Sequence, residues 1–138
     1  MDRRSFLTTS AVTLTAATLA NAADDKKAAP PSSDVTAAVE RCLTTAYACR
    51  ELCIATLQKG DTMMAACMRT VSDMIPLCEA TAQLAASKSK HLKKVAAACI
   101  DACADCEAEC KKHAAMHAEC KACAETCASC IAACKKIG

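Results

Sequence analysis

Beyond residue 33 the chain repeats small buried-type residues in steps of three and four, with Asp, Glu and Lys between them. In one segment these positions are 99, 103, 106 and 110; in the next they are 120, 123, 127, 130 and 134. This is the seam of an amphipathic helix that faces a core. Two earlier segments carry the same period more loosely, at 42, 49 and 53 and at 63, 67, 71, 74 and 78. The pattern predicts four helices, over about 34–59, 62–86, 90–112 and 115–136. Ser33 is the expected N-cap of the first and Gly60 its stop, and Asp61 or Thr62 the cap of the second. The polar stretch Ser87–Lys90 reads as a turn, and His113–Ala115 as a tight connection. Pro76 lies inside the second helix, where it removes a hydrogen bond, so a kink or break is expected near Ser72–Pro76. Short connections make successive helices antiparallel. The expected fold is all-α, an up-down-up-down four-helix bundle over residues 34–138.

The seam residue is cysteine. Fourteen are present: Cys42, Cys49, Cys53, Cys67, Cys78, Cys99, Cys103, Cys106, Cys110, Cys120, Cys123, Cys127, Cys130 and Cys134. All can fall on inward faces. The hydrophobic share of 54% is carried largely by Ala and Cys, and Tyr47 is the only aromatic residue after Phe6. Burying a Leu-sized side chain stabilises by roughly 1.5–3 kcal/mol, and an Ala/Cys core forgoes much of that. Cross-links or metal should supply the difference.

Geometry separates these two supports. Five pairs are C-x-x-x-C: 49/53, 99/103, 106/110, 123/127 and 130/134. On a helix the Cβ atoms of such a pair are about 5–6 Å apart, whereas a disulfide wants about 3.5–4.5 Å. Two metal–sulfur bonds of about 2.3 Å bridge the pair without distortion. Cys42, Cys67, Cys78 and Cys120 lack an i/i+4 partner and need partners from neighbouring helices. Charge then selects among metals. Isolated buried thiolates would each cost several kcal/mol, and one monovalent ion per thiolate neutralises the set. Cu(I) is soft, monovalent and satisfied by two or three sulfurs. Zinc prefers closed tetrahedral sites, and fourteen sulfurs would make three of these with two left over. Iron–sulfur motifs sit on loops around a discrete cluster.

Topology makes the two ends of the bundle differ. The first and third connections lie at one end, which gathers Met63, Met64, Met68, His113, Met116 and His117 beyond Cys53, Cys67, Cys110 and Cys120. Thioether and imidazole hold Cu(I) less firmly than thiolate, which suits a mouth for metal uptake and release. The alternative is that the methionines fill gaps and the histidines are solvated turn residues. The opposite end carries His91 among Lys88, Lys90, Lys93 and Lys94, a solvated basic cap.

Charge elsewhere is mixed, with a formal net of +2, and offers no basic stripe for nucleic acid. Residues 1–22 read as an export signal. Arg3-Arg4 precedes Ser5-Phe6-Leu7, a mild apolar run spans Ala11 to Ala20, and Ala20-Asn21-Ala22 forms a cleavage site. The arrangement resembles a twin-arginine (Tat) signal, with a general secretory signal as the alternative. The expected location is the periplasm. The apolar run falls short of the ~20 residues that a membrane-spanning helix needs. Residues 23–33 read as a flexible arm.

The thiol-lined helices, the twin-arginine leader and the Met/His end together resemble the bacterial copper storage proteins, cysteine-rich four-helix bundles, in their exported form. The resemblance covers the mature chain. It implies a homotetramer of bundles, each holding many Cu(I) ions on inward cysteines with access through one end. It also implies a copper donor or acceptor protein, with supply to membrane-bound methane monooxygenase, and no catalysis. Three other readings compete: a disulfide-stapled helical scaffold, a thiol oxidoreductase, and a general sink for zinc or cadmium. The oxidoreductase needs an exposed thiol of low pKa in a C-x-x-C turn, and here 103/106, 120/123 and 127/130 lie within helical seams.

Overall fold

The structure, a computed structural model, describes residues 31–137. The leader 1–22 and the arm up to residue 30 lie outside the described residues. Four helices follow: α1 (Pro31–Gln58), α2 (Ala65–Ala86), α3 (Leu92–His113) and α4 (Ala118–Cys134). Each packs against its neighbours in sequence, and α1 closes the ring against α4. The diagonal pairs α1/α3 and α2/α4 make no close backbone approach among the described residues. This is the up-down-up-down bundle that the periodicity predicts, with an axial channel left for side chains.

Helix ends depart from the sequence reading where local chemistry decides them. α1 begins at Pro31, so Ser33 sits in its first turn and is not the cap. Proline suits that position, because its fixed φ is helical and its missing N–H would have no partner there anyway. Gly60 ends α1 as expected, at φ 83°. The Gly60 N–H donates to the Leu57 carbonyl at 2.9 Å and the Asp61 N–H to that of Thr56 at 3.3 Å, the two bonds of a Schellman turn. α2 starts at Ala65, three residues later than predicted, because Asp61 caps a turn instead of the helix. Its Oδ1 accepts from the Met63 N–H at 2.9 Å. α2 ends with the same two-bond pattern, Lys88 N–H to Ala85 O and Ser89 N–H to Leu84 O. Here the left-handed position is held by Lys88, at φ 51°.

α2 runs through Pro76 without a break. The proline is exposed on the outer face of the helix, and the one backbone hydrogen bond it removes does not end α2. On the outside, Lys111 pairs with Glu107 and Lys112 with Glu109, each at 2.5 Å. Tyr47 donates to Glu79 across α1 and α2, with the Arg50 guanidinium 5.0 Å from its ring centre. Among the described residues no helix is long and apolar enough to cross a membrane.

Candidate metal centre

All fourteen cysteines are buried and none forms a disulfide. Each helix contributes. α1 brings Cys42, Cys49 and Cys53 inward; α2 brings Cys67 and Cys78. α3 supplies Cys99, Cys103, Cys106 and Cys110, and α4 supplies Cys120, Cys123, Cys127, Cys130 and Cys134. The C-x-x-x-C pairs behave as helical spacing requires. The Sγ atoms of Cys99 and Cys103 are 3.9 Å apart, as are those of Cys106 and Cys110, well beyond a bonded pair at about 2.05 Å.

Contacts between helices organise the tube into layers. Cys49, Cys67 and Cys110, from three helices, form a triangle with Sγ separations of 3.6, 3.8 and 3.7 Å. Cys78, Cys99 and Cys103 form a second, at 3.5, 3.7 and 3.9 Å. Three bonds of about 2.3 Å splayed in a plane would set sulfurs about 4 Å apart, so both triangles match a three-coordinate soft ion with little adjustment. Four groups have all their sulfurs within 4.8 Å of one another: Cys42–Cys78–Cys103–Cys130, Cys49–Cys67–Cys110–Cys120, Cys99–Cys130–Cys134 and Cys106–Cys123–Cys127. Cys130 belongs to two of them, so the groups run into one another along the axis.

The structure therefore supplies partners to the four cysteines that lack one in their own helix. Cys42, Cys67, Cys78 and Cys120 each sit in a four-thiol group. Cys53, which has Cys49 at i−4, is the cysteine outside all four groups. Its place is towards the end where the α1–α2 and α3–α4 connections meet. At that end Met64 is buried at 1% exposure and His113 at 7%, Met68 and His117 are half-buried, and Met63 and Met116 stand 63% exposed. Neither His113 nor His117 joins a group of candidate ligand atoms among the described residues. The buried Nδ1 of His113 has no hydrogen-bond partner, an open valence of the sort a metal or a proton donor would fill.

Sequence reasoning passed over Met74 as a candidate ligand. It is fully buried, and its Sδ accepts from the Cys127 thiol at 3.4 Å and the Cys42 thiol at 3.9 Å. Its place in the α2 seam was visible, but seam methionines ordinarily fill gaps, and nothing in the spacing tells which sulfurs it meets.

Crowding sets the protonation of the tube. Thiol neighbours hold Cys42, Cys49, Cys99 and Cys106 far below the ordinary thiol range, led by Cys103 for Cys42 and Cys99 and by Cys110 for Cys49 and Cys106. Hydrogen bonding to Cys127 pushes Cys103 up, and bonding to Cys106 does the same for Cys110. Cys53, Cys78, Cys123 and Cys134 are raised by bonds led by Cys49, Cys103, Cys106 and Cys130 respectively, and Cys120 chiefly by desolvation. Cys127 and Cys130 end raised despite a lowering bond from Cys103. Soft cations bind thiolate, so metal enters this crowded tube by displacing thiol protons.

The copper storage protein family (Csp) matches residues 31–138. The chain belongs to the copper storage protein family. Solved structures of the copper storage protein Ccsp from Streptomyces lividans share the fold. One, loaded with 10 copper equivalents, is 32% identical with a TM-score of 0.70 and covers 77% of this chain and 82% of that one. A second, described as a cytosolic copper storage protein with five coppers, has the same identity and TM-score and covers 77% and 90%. A histidine-to-alanine variant of Ccsp is 31% identical with a TM-score of 0.69 over 78% and 91%. No curated protein sequence matches the chain. This Csp-family bundle stores copper on buried cysteine clusters, several Cu(I) ions per chain, and the family's role is storage, not catalysis.

One expectation is corrected. The leader resembles a Tat signal of the exported type and predicts the periplasm as destination, yet a solved relative is a cytosolic copper storage protein. The Arg3-Arg4 pattern that suggested export is short and lies outside the described residues. The bundle that carries the resemblance is shared with that cytosolic relative. Export to the periplasm does not hold against that relative.

Proposed function

We propose that all fourteen cysteines are Cu(I) ligands and that the ions pass in and out through the Met/His end. The observation that carries this reading is the set of inter-helix thiol triangles at 3.5–3.9 Å, unbridged by disulfides and sized for three-coordinate soft ions. Storage occupies the bundle predicted over 34–138, with Pro31–Ser33 extending its first helix. Met64 and His113 form the inner part of the mouth, Met68 and His117 its wall, and Met63 and Met116 the exposed rim. Bundles associate as a homotetramer, on the strength of the family resemblance. A donor or acceptor protein exchanges copper at the mouth.

Two measurements test it. Mass spectrometry of the purified protein, its metal content measured before denaturing alkylation in the presence of a Cu(I) chelator, should count fourteen modified thiols; seven disulfides and no bound metal would replace storage with a stapled scaffold. Changing Met63, Met64 and Met68 together to Leu should slow copper uptake and release while leaving capacity nearly intact. A large fall in capacity would refute the mouth.

A further inference from the structure

The thiol ladder is unbroken on α3 and α4 but interrupted on α1 and α2. Between Cys42 and Cys49, α1 buries Ala46; between Cys67 and Cys78, α2 buries Val71 and Met74. At about 1.5 Å per residue the two α2 thiols stand roughly 16 Å apart along the helix. In that gap the α2 sulfur is a thioether.

Met74 Sδ, Cys42 Sγ and Cys127 Sγ form a triangle drawn from α2, α1 and α4, with sides of 3.4, 3.9 and 3.9 Å. Its size is that of the two all-thiol triangles, and it suits the same three-bond geometry of about 4 Å. Its position is also specific. Cys127 belongs to the Cys106–Cys123–Cys127 group and Cys42 to the Cys42–Cys78–Cys103–Cys130 group, so Met74 touches one member of each. Filling space would be served as well by Leu; what Leu lacks is a lone pair directed at two thiols.

We propose that Met74 is a metal ligand: with the Cys42 and Cys127 thiolates it completes a mid-bundle three-sulfur Cu(I) site that hands ions between the mouth-side and far-side thiol groups. This rests on the copper storage reading. A neutral thioether adds a bond without a third buried negative charge. It also binds Cu(I) less firmly than thiolate, which keeps the position exchangeable while thiolates on either side hold the ion. Without it, an ion crossing the gap would have sulfur on the α3/α4 side and on Cys42, and none from α2.

Crystals of the full chain loaded anaerobically with Cu(I), measured at the copper absorption edge, provide the test. Copper should appear within bonding reach of Met74 Sδ, Cys42 Sγ and Cys127 Sγ. The Met74→Leu variant, close to isosteric, should lose that copper and fill the Cys99–Cys130–Cys134 group roughly tenfold more slowly, the order of effect of removing a metal-site partner. Copper on Cys42 and Cys127 with none bonded to Met74, or a Leu variant filling at the parent's rate, would reduce Met74 to packing and leave storage standing. Crystals with no copper among any of the thiols would overturn storage and this site together.

Discussion

At the scale of single residues, the chemistry is the replacement of protons by metal at crowded thiols. Nine cysteines are pushed above the ordinary thiol range and four are held below it. A raised thiol binds its proton more tightly folded than unfolded. Its contribution to stability is therefore complete below the unfolded value, about 8.5, and is lost as pH rises through the folded one. The lowered four change stability only below the unfolded value and are constant above it. Metal-free protein should thus lose thermal stability as pH climbs above about 8.5, and the copper-loaded protein, whose protons are already gone, should not. Thermal unfolding of both forms across that range checks the difference, and parallel profiles would contradict it. Residue by residue, the sequence marked every thiol as inward but could not rank them. Cys53 has an i/i+4 partner and stands outside the groups, whereas Cys42 and Cys67 have none and stand within them. The reason is that a layer of the tube is built across helices, and its register depends on axial offsets that no spacing within one helix encodes.

At the scale of elements, the helices were legible because their polar and apolar positions keep a 3.6-residue period. Their ends were legible only where one residue dominates. Gly60 at positive φ stops α1 as its chemistry demands, while Pro31 extends the same helix past the cap expected at Ser33. Pro76 predicts a kink or break, and α2 continues through it without a break. Lys88 is the counterpart of Gly60 at the end of α2, but with a side chain that the left-handed region disfavours. Lys88→Gly should therefore raise the stability of the metal-free protein by roughly 1 kcal/mol, read as a higher urea midpoint with unchanged slope. A lower midpoint would show that the Lys88 side chain contributes something the backbone does not reveal.

At the scale of the whole molecule, small side chains and a short sulfur-lined axis serve one end. Ala and Cys allow four helices to enclose thiols close enough to share ions, at the cost of the hydrophobic stabilisation that larger residues would give. Bound metal returns it, because ions that bind only the folded chain stabilise it by mass action. The bundle, its metal and its Met/His end could be read from residue types and topology. The grouping of thiols into linked layers, and the place of Met74 between two of them, needed coordinates. Anaerobic titration of the reduced protein with Cu(I) against a competing chelator shows whether the sulfurs act as a continuous store. Saturation is predicted at about one ion per thiol, about fourteen per chain. A plateau at about three or four ions, as closed four-thiolate sites would give, would contradict it.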